Sequence, residues 1–190
     1  MLASPGSPRE RIATYLLAYT AARAGELRAL RWQDIDFATH TVLLRGKGGK
    51  QRAVALHPRL VGELRLWLIH QQALAERHPL MRQAKSRPET DFVLLTRNGR
   101  ALSANAISKQ LKRRAVRAGL YTLEGKHGER RSRVSPHALR RTVATLLLNA
   151  GQPLDAIADV FGHASVDTTR RHYAFANAER QRATIEALPI

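Results

Sequence analysis

The chain has 190 residues, and its 32 lysine and arginine residues against 15 acidic residues give a formal net charge of +17 at pH 7. This length fits one globular domain with a real core, and the charge is typical of proteins that bind nucleic acids or other polyanions. The lack of cysteine excludes disulfides, thiolate metal sites and cysteine nucleophiles, and no apolar run approaches the roughly 20 residues of a membrane span, so we expect a cytoplasmic protein.

The first predicted element is a helix that begins after Ser7. Ser7 can cap this helix, and Glu10 can reach back to complete a capping box. Residues 1–6 are predicted to form a flexible tail. The helix should end near Arg23, and a short second helix should follow over residues 25–32. Arg23 therefore lies at a junction between two helices.

Two predicted strands, residues 41–45 and 51–56, flank a turn with the sequence GKGGK. The glycines of this turn permit a tight reversal of the chain. Such a turn would hold Lys47 and Lys50 where the backbone of a nucleic acid can approach. A solubilising loop tip is the alternative.

The middle of the chain shows no obvious chemistry. We predict a helix over residues 58–75, a linker over 81–90 and a short apolar strand over 92–95. A further helix, capped by Ser103, should run to about Ala118 with an apolar inner face and a basic outer face.

Positive charge is concentrated between residues 109 and 141, where eleven lysine or arginine residues accompany only two acids. Residues 119–134 within this stretch are predicted to be a polar, basic loop. The stretch indicates a nucleic-acid footprint, with an exposed, solvated surface as the alternative. The candidate DNA contacts are Lys50, Lys109, Lys112, Arg113, Arg131, Arg133, Arg141 and Arg170.

A helix start is predicted at Ser135-Pro136. His137 and Arg140 then fall in its first turns, three residues apart on one face, so that both side chains can meet one phosphate. The free N–H groups and positive dipole end of a helix N-terminus also favour a bound anion. Gly151 should close this helix, and another should run from Pro153 to about Phe161.

Four ordered motifs carry a resemblance to a known family. They are TAARAGEL at residues 20–27, RGKGGK at 45–50, HALR at 137–140, and FGH at 161–163 followed by Thr168, Thr169 and Tyr173. In these motifs the chain resembles the catalytic domain of the tyrosine recombinase (phage integrase) family, and the resemblance covers most of its length. It implies an α+β, mainly helical fold with a small antiparallel sheet of about three strands.

The resemblance also implies a role for each motif residue. Arg23 and Arg140 would hold the non-bridging oxygens of the scissile phosphate, and Glu26 would orient Arg23. His137 and His163 would bind the phosphate or assist proton movement. Lys47 would protonate the departing 5′-oxygen, with Lys50 as a neighbouring alternative. Tyr173 would form a 3′-phosphotyrosine bond, with no metal or cofactor.

The family implies an organisation as well as a site. Residues 7–176 would form the catalytic domain, and residues 177–190 a C-terminal segment that can pack on a neighbouring protomer. The expected partner is double-stranded DNA, held by four protomers on two sites. Family members carry a separate helical DNA-binding domain ahead of the catalytic one, and we expect the whole protein to include it.

Three features depart from the family pattern. Tyr173 follows His163 by ten residues, where many relatives have nine, and position nine is His172. Arg141 stands where many relatives have histidine. A basic insertion lies near residues 124–133. Because no other tyrosine follows His163, Tyr173 is still the predicted nucleophile.

Two other functions fit parts of the sequence. Residues 146–161 resemble the two helices and glycine turn of a helix-turn-helix DNA-binding module, which would leave the histidine and arginine motifs unexplained. A type IB topoisomerase would use similar chemistry to relax DNA. A metal-dependent nuclease is disfavoured, because the pairs Asp34 and Asp36, and Asp155 and Asp159, lack a third ligand.

Overall fold

The computed structural model describes residues 1–124 and 128–162, and its contacts divide the chain into two units, Met1–Arg140 and Arg141–Ile190. The architecture is the predicted α+β, mainly helical fold with a three-stranded antiparallel sheet. No helix within the described residues is long and apolar enough to cross a membrane.

Helix α1 (Pro8–Thr20) begins with the predicted capping box. The Glu10 N–H donates to Ser7 Oγ at 3.3 Å, and the Ser7 N–H donates to Glu10 Oε2 at 3.0 Å. The helix ends at Thr20 because Ala21 adopts a left-handed conformation with φ of 49°. Helix α2 (Ala24–Ala29) is shorter than predicted.

The first residues of the chain contact helix α5 (Ala104–Arg117). The guanidinium group of buried Arg114 donates to the carbonyl oxygens of Met1 and Leu2, and Arg117 donates to that of Pro5. The sequence predicted a flexible tail and not these contacts.

The sheet contains β1 (Ile35–Asp36), β2 (Thr41–Arg45) and β3 (Gln51–Ala55), in that order. Strands β2 and β3 form the predicted hairpin, in a register that pairs Arg45 with Gln51 at the turn. The third strand is not residues 92–95, and that prediction was wrong. This apolar segment makes only isolated bridges through Phe92 and Leu95. Its backbone pairs with residues outside the strands, since the Val93 N–H donates to the Leu30 carbonyl and the Leu94 carbonyl accepts the Leu102 N–H.

Helices α3 (Pro58–Arg77) and α4 (Pro79–Lys85) follow the sheet. Helix α4 contradicts the predicted linker over residues 81–90. It forms because Met81 and Ala84, three residues apart, are buried in one apolar cluster with Leu95. Seven residues are too few for periodicity to be obvious in the sequence.

Helix α5 has the predicted Ser103 cap, and its Ile107 and Leu111 are buried. The predicted loop after it was wrong in part, because β4 (Tyr121–Glu124) and β5 (Glu129–Ser132) form an antiparallel hairpin. The polar, basic composition of residues 119–134 gives no pattern that predicts these strands. Hydrogen bonding across the ladder and packing of β5 on α5 stabilise a hairpin that would be marginal alone.

Helix packing in the larger unit brings the motifs at residues 20–27, 45–50 and 137–140 to one region. Helix α1 lies against α3 and α5, and α2 contacts both α5 and β2. Helix α6 (Pro136–Asn149) begins in this unit, and the boundary between units falls after Arg140. In the smaller unit the structure describes the rest of α6 and helix α7 (Leu154–Phe161), with Gly151 at a φ of 83° between them, as predicted.

Candidate active site

Arg23 occupies the junction that the sequence predicted. It is the N-cap residue of α2, with an extended backbone, and it follows the left-handed Ala21 that ends α1. Because the chain turns between two helices here, the Arg23 side chain points outward and is 45% exposed. A guanidinium group in this position is open to a ligand.

Buried Glu26 fixes the orientation of Arg23. Its Oε2 accepts the Arg23 N–H at 2.8 Å, and its Oε1 accepts Arg23 Nη1 at 3.1 Å. The Glu26 side chain is only 3% exposed. The carboxylate therefore binds both the backbone and the side chain of Arg23.

Arg52, on β3, is a member of this site that sequence reasoning missed. Its Nη1 and Nη2 donate to the two Glu26 oxygens at 2.7 and 3.0 Å. A signal for its position was present, since Arg52 lies two and four residues before buried Val54 and Leu56 and therefore shares their inward face. Burial raises the pKa of Glu26, but the hydrogen bonds from Arg52 and Arg23 outweigh burial and hold it below its usual value.

A second buried acid holds another arginine nearby. Arg45, the last residue of β2, pairs with Asp34 at 2.5 Å, and the Asp34 side chain is 2% exposed. The other Asp34 oxygen accepts the Arg31 N–H at 3.0 Å. Asp36 accepts the N–H groups of the following turn. Both carboxylates thus have structural roles.

The start of α6 supplies the remaining described residues. Ser135 caps the helix, accepting the Ala138 N–H at 3.1 Å as predicted. Arg140, one turn in, is 7% exposed and donates to the carbonyl oxygen of Ala21. This bond joins the first turns of the helix to the end of α1. His137 is exposed at the helix start.

These elements enclose an open pocket of about 650 Å³ in the larger unit. Three guanidinium groups, one carboxylate and one imidazole line it, and they belong to Arg23, Arg45, Arg140, Glu26 and His137. The pocket thus carries excess positive charge, on arginines whose planar groups match phosphate oxygens. It can bind an anion and stabilise charge that develops on it.

The hairpin turn brings its lysines to the end of β2. A single turn over Lys47–Gly49 reverses the chain, with Gly48 and Gly49 at φ of 73° and 74°, which glycine adopts without strain. The Gly46 N–H donates to the Lys50 carbonyl at 2.7 Å and closes the turn. Gly46 lines the arginine pocket, and Lys50 is exposed.

The other predicted residues fall into three groups. Lys109, Lys112, Arg113 and Arg131 line a separate groove, whereas Arg133 and Arg141 are exposed elsewhere. His163, Tyr173 and Arg170 lie outside the described residues. The structure thus brings together Arg23, Glu26, His137 and Arg140 of the predicted catalytic set.

Comparisons with known proteins identify the relatives of this chain. A model of the phage integrase family matches residues 1–180. The tyrosine recombinase XerC of Xanthomonas campestris pv. campestris is 32% identical over 167 residues, covering 88% of this chain and 44% of that protein. XerD of Mycobacterium tuberculosis is 36% identical over 166 residues, covering 87% and 48%. The chain therefore spans about half the length of these relatives.

Solved structures share the fold. The crystal structure of XerA recombinase aligns with a TM-score of 0.73 and 24% identity, over 97% of this chain and 60% of that one. The XerH site-specific recombinase bound to its palindromic difH substrate aligns with a TM-score of 0.69 and 27% identity, over 93% and 45%. With the family model matching nearly the full length, this chain belongs to the phage integrase family.

Proposed function

We propose that the chain is the catalytic unit of a site-specific DNA recombinase that cleaves and rejoins strands through a 3′-phosphotyrosine intermediate. The pocket that Arg23, His137 and Arg140 line together is the observation that carries this proposal. These residues come from separate parts of the sequence, and each matches a family motif. The XerH structure, which contains a difH substrate, supports DNA as the partner.

In this proposal the two motif arginines bind the scissile phosphate. Arg23 and Arg140 hold its non-bridging oxygens, and they neutralise the charge that builds up when the phosphorus becomes five-coordinate. Glu26 and the Ala21 carbonyl fix the two side chains before DNA arrives, so that little reorganisation accompanies the reaction. His137 and His163 donate to phosphate oxygens or move protons.

Tyr173 is the proposed nucleophile. Its phenolic oxygen attacks phosphorus, the Tyr173 Oη–P bond forms and the P–O5′ bond breaks. The phenol proton leaves to a base at the site, and the departing 5′-oxygen receives a proton. The phosphotyrosine retains the energy of the broken bond, so a 5′-hydroxyl from another strand can reverse the step and reseal the DNA. These bond changes and proton transfers require no metal or nucleotide cofactor.

Lys47 is the proposed general acid, and Lys50, in the same turn, is its neighbouring alternative. We expect Lys47→Ala to slow cleavage by roughly 10²–10⁴-fold, the usual contribution of general acid catalysis. A substrate with sulfur in place of the 5′-bridging oxygen should restore the rate, because a thiolate leaves without a proton. Lys50→Ala is the matched control. Rescue of Lys50→Ala instead would assign the role to Lys50.

The assembly is also part of the proposal. Four protomers would hold two duplex DNA sites, so that strands cut on one site can join the other. Residues 177–190, which include Ile185, Leu188 and Ile190, would provide apolar contacts to a neighbouring protomer. This arrangement rests on the family resemblance.

A covalent trap tests the proposed reaction. Nicked duplexes of randomised sequence are incubated with the chain and with Tyr173→Phe, and adducts are resolved on a denaturing gel. We expect an adduct with the parent chain only. DNA binding with no adduct would mean either that cleavage requires the N-terminal DNA-binding domain or that the chain is a helix-turn-helix binding module. Relaxation of supercoiled plasmid without joining between sites would favour the topoisomerase alternative.

A further inference from the structure

Helix α5 carries a continuous stripe of cations on one face. Lys109, Lys112, Arg113 and Arg117 follow the spacing i, i+3, i+4 and i+8, so they lie above one another on the helix surface. All four are exposed. Like charges at this spacing destabilise a helix, because each side chain lies close to the next. The stripe therefore lowers the stability of the free protein.

The β4–β5 hairpin adds a second wall to this stripe. Strand β5 packs along α5, and between them lies a groove of about 530 Å³. Six cations line it, four from α5 and two from β5, namely Lys109, Lys112, Arg113, Arg117, Arg130 and Arg131. The basic insertion near residues 124–133 thus supplies one wall of the groove, and α5 supplies the other.

Only part of this charge is neutralised. Arg117 pairs with Glu10 at 2.5 Å, and Arg131 pairs with Glu124 at 2.6 Å. The Arg130 guanidinium lies 5.0 Å from the ring centroid of Tyr121. No carboxylate within residues 1–124 and 128–162 forms an ion pair with the remaining three, the α5 cations Lys109, Lys112 and Arg113. The groove therefore has spare positive charge that a polyanion would balance.

The position and length of the groove fit a DNA strand. Ser108 lines the candidate active site, and Lys109, the next residue, lines the groove. From Lys109 to Arg117 the helix rises about 12 Å at ~1.5 Å per residue. Phosphates of one strand advance ~3.4 Å along the DNA axis, so this length matches about three to four of them.

We propose that this groove binds the phosphate backbone of duplex DNA beside the cleaved step, as a clamp that does not read sequence. The inference rests on the proposed function for the identity of the polyanion. Its lining of cations suits phosphate contacts, which position a protein on DNA without specifying bases. The clamp contributes affinity, whereas the arginine pocket contributes the chemistry.

The test compares three variants of the full chain. One is Lys109→Gln, Lys112→Gln and Arg113→Gln on α5, and another is Arg130→Gln and Arg131→Gln on the hairpin. A control with the same change in net charge replaces three exposed arginines outside the groove, Arg59, Arg77 and Arg87, with glutamine. Fluorescence anisotropy measures binding of a 30-base-pair duplex between 50 and 300 mM KCl.

We expect the α5 variant to lower the slope of log affinity against log salt by about two to three, at ~0.9 per lost phosphate contact, and the hairpin variant by about one to two. The control should change the slope by less than one. The thermal midpoint of the α5 variant should equal or exceed that of the parent chain, because the repulsion between like charges is removed. A parental slope in either groove variant would overturn the two-walled clamp.

The salt-slope test of the groove and the covalent trap of the reaction have distinguishable outcomes. If the parent chain forms no adduct, the salt slopes still report on the groove. If the adduct forms at saturating DNA in both groove variants at the parental rate and the slopes fall, the clamp is supported. A groove variant that binds with the parental slope but cleaves slowly would contradict it.

Discussion

Arg140→Lys should slow DNA cleavage by roughly 10²–10³-fold, the usual loss when one preorganised donor to a developing oxyanion is removed. Arg140 is nearly buried and donates to the carbonyl oxygen of Ala21, so its guanidinium is fixed before the phosphate binds. Lysine retains the charge but cannot present a planar pair of N–H donors. We therefore expect DNA binding to change by less than threefold.

Single-turnover cleavage of a nicked duplex at saturating enzyme measures this effect. Arg141→Lys, the same substitution at the next, exposed residue, is the matched control and should cleave within threefold of the parent. Thermal unfolding of both variants verifies the fold. Equal cleavage rates for Arg140→Lys and the parent would remove Arg140 from the reaction.

Glu26→Gln should lower the free energy of unfolding by about 3 kcal/mol, since removing one partner of a buried ion pair leaves the other charge without compensation. Two arginines, Arg23 and Arg52, share this carboxylate, whose side chain is 3% exposed. A loss of this size should reduce the thermal midpoint by roughly 6–12 °C for a chain of this length. Cleavage should also slow, because Arg23 loses its orienting acceptor.

The effect of Glu26→Gln should depend on pH in a defined direction. The pKa of Glu26 is lower in the folded chain than its usual value of 4.5. Its contribution to stability is therefore complete above that value and is lost as the pH falls through the folded pKa. The stability difference between parent and variant should shrink as the pH is lowered from 7 towards 3.

Glu63→Gln provides the control for this prediction. It removes a carboxylate from a more exposed ion pair with Arg11, whose side chain is 48% exposed, and should cost less than about 1 kcal/mol. Thermal unfolding monitored by circular dichroism across the pH series compares the three proteins. A Glu26→Gln variant no less stable than Glu63→Gln at pH 7 would contradict the role of the shared carboxylate.

Local chemistry was the part of the fold that the sequence could predict. Ser7, Ser103 and Ser135 each cap a helix where expected, because a cap depends on residues within one turn. The GKGGK turn likewise predicted the β2–β3 hairpin, since glycines permit the positive φ angles of its turn. The same reasoning placed Arg23 between two helices and Arg140 one turn into α6.

Contacts between distant residues were not predictable in this way. The Arg52 side chain binds Glu26 across 26 positions of sequence, and no local pattern specifies that pairing. Helix α4 is too short to show a period, and it is stabilised by packing of Met81. In the β4–β5 hairpin only Tyr121 and Leu123 alternate with polar residues, and β5 has no apolar residue, so the alternation is too short to predict the strands.

The identity of the nucleophile is the central claim, and one measurement tests it most directly. The covalent adduct is isolated, its DNA is trimmed with nuclease, and the protein is digested with trypsin and analysed by tandem mass spectrometry. Cleavage after Arg171 and Arg180 releases residues 172–180, HYAFANAER, in which Tyr173 is the only tyrosine. We predict a nucleotide remnant on Tyr173 in this peptide. A remnant on any other residue, with this peptide unmodified, would contradict the account.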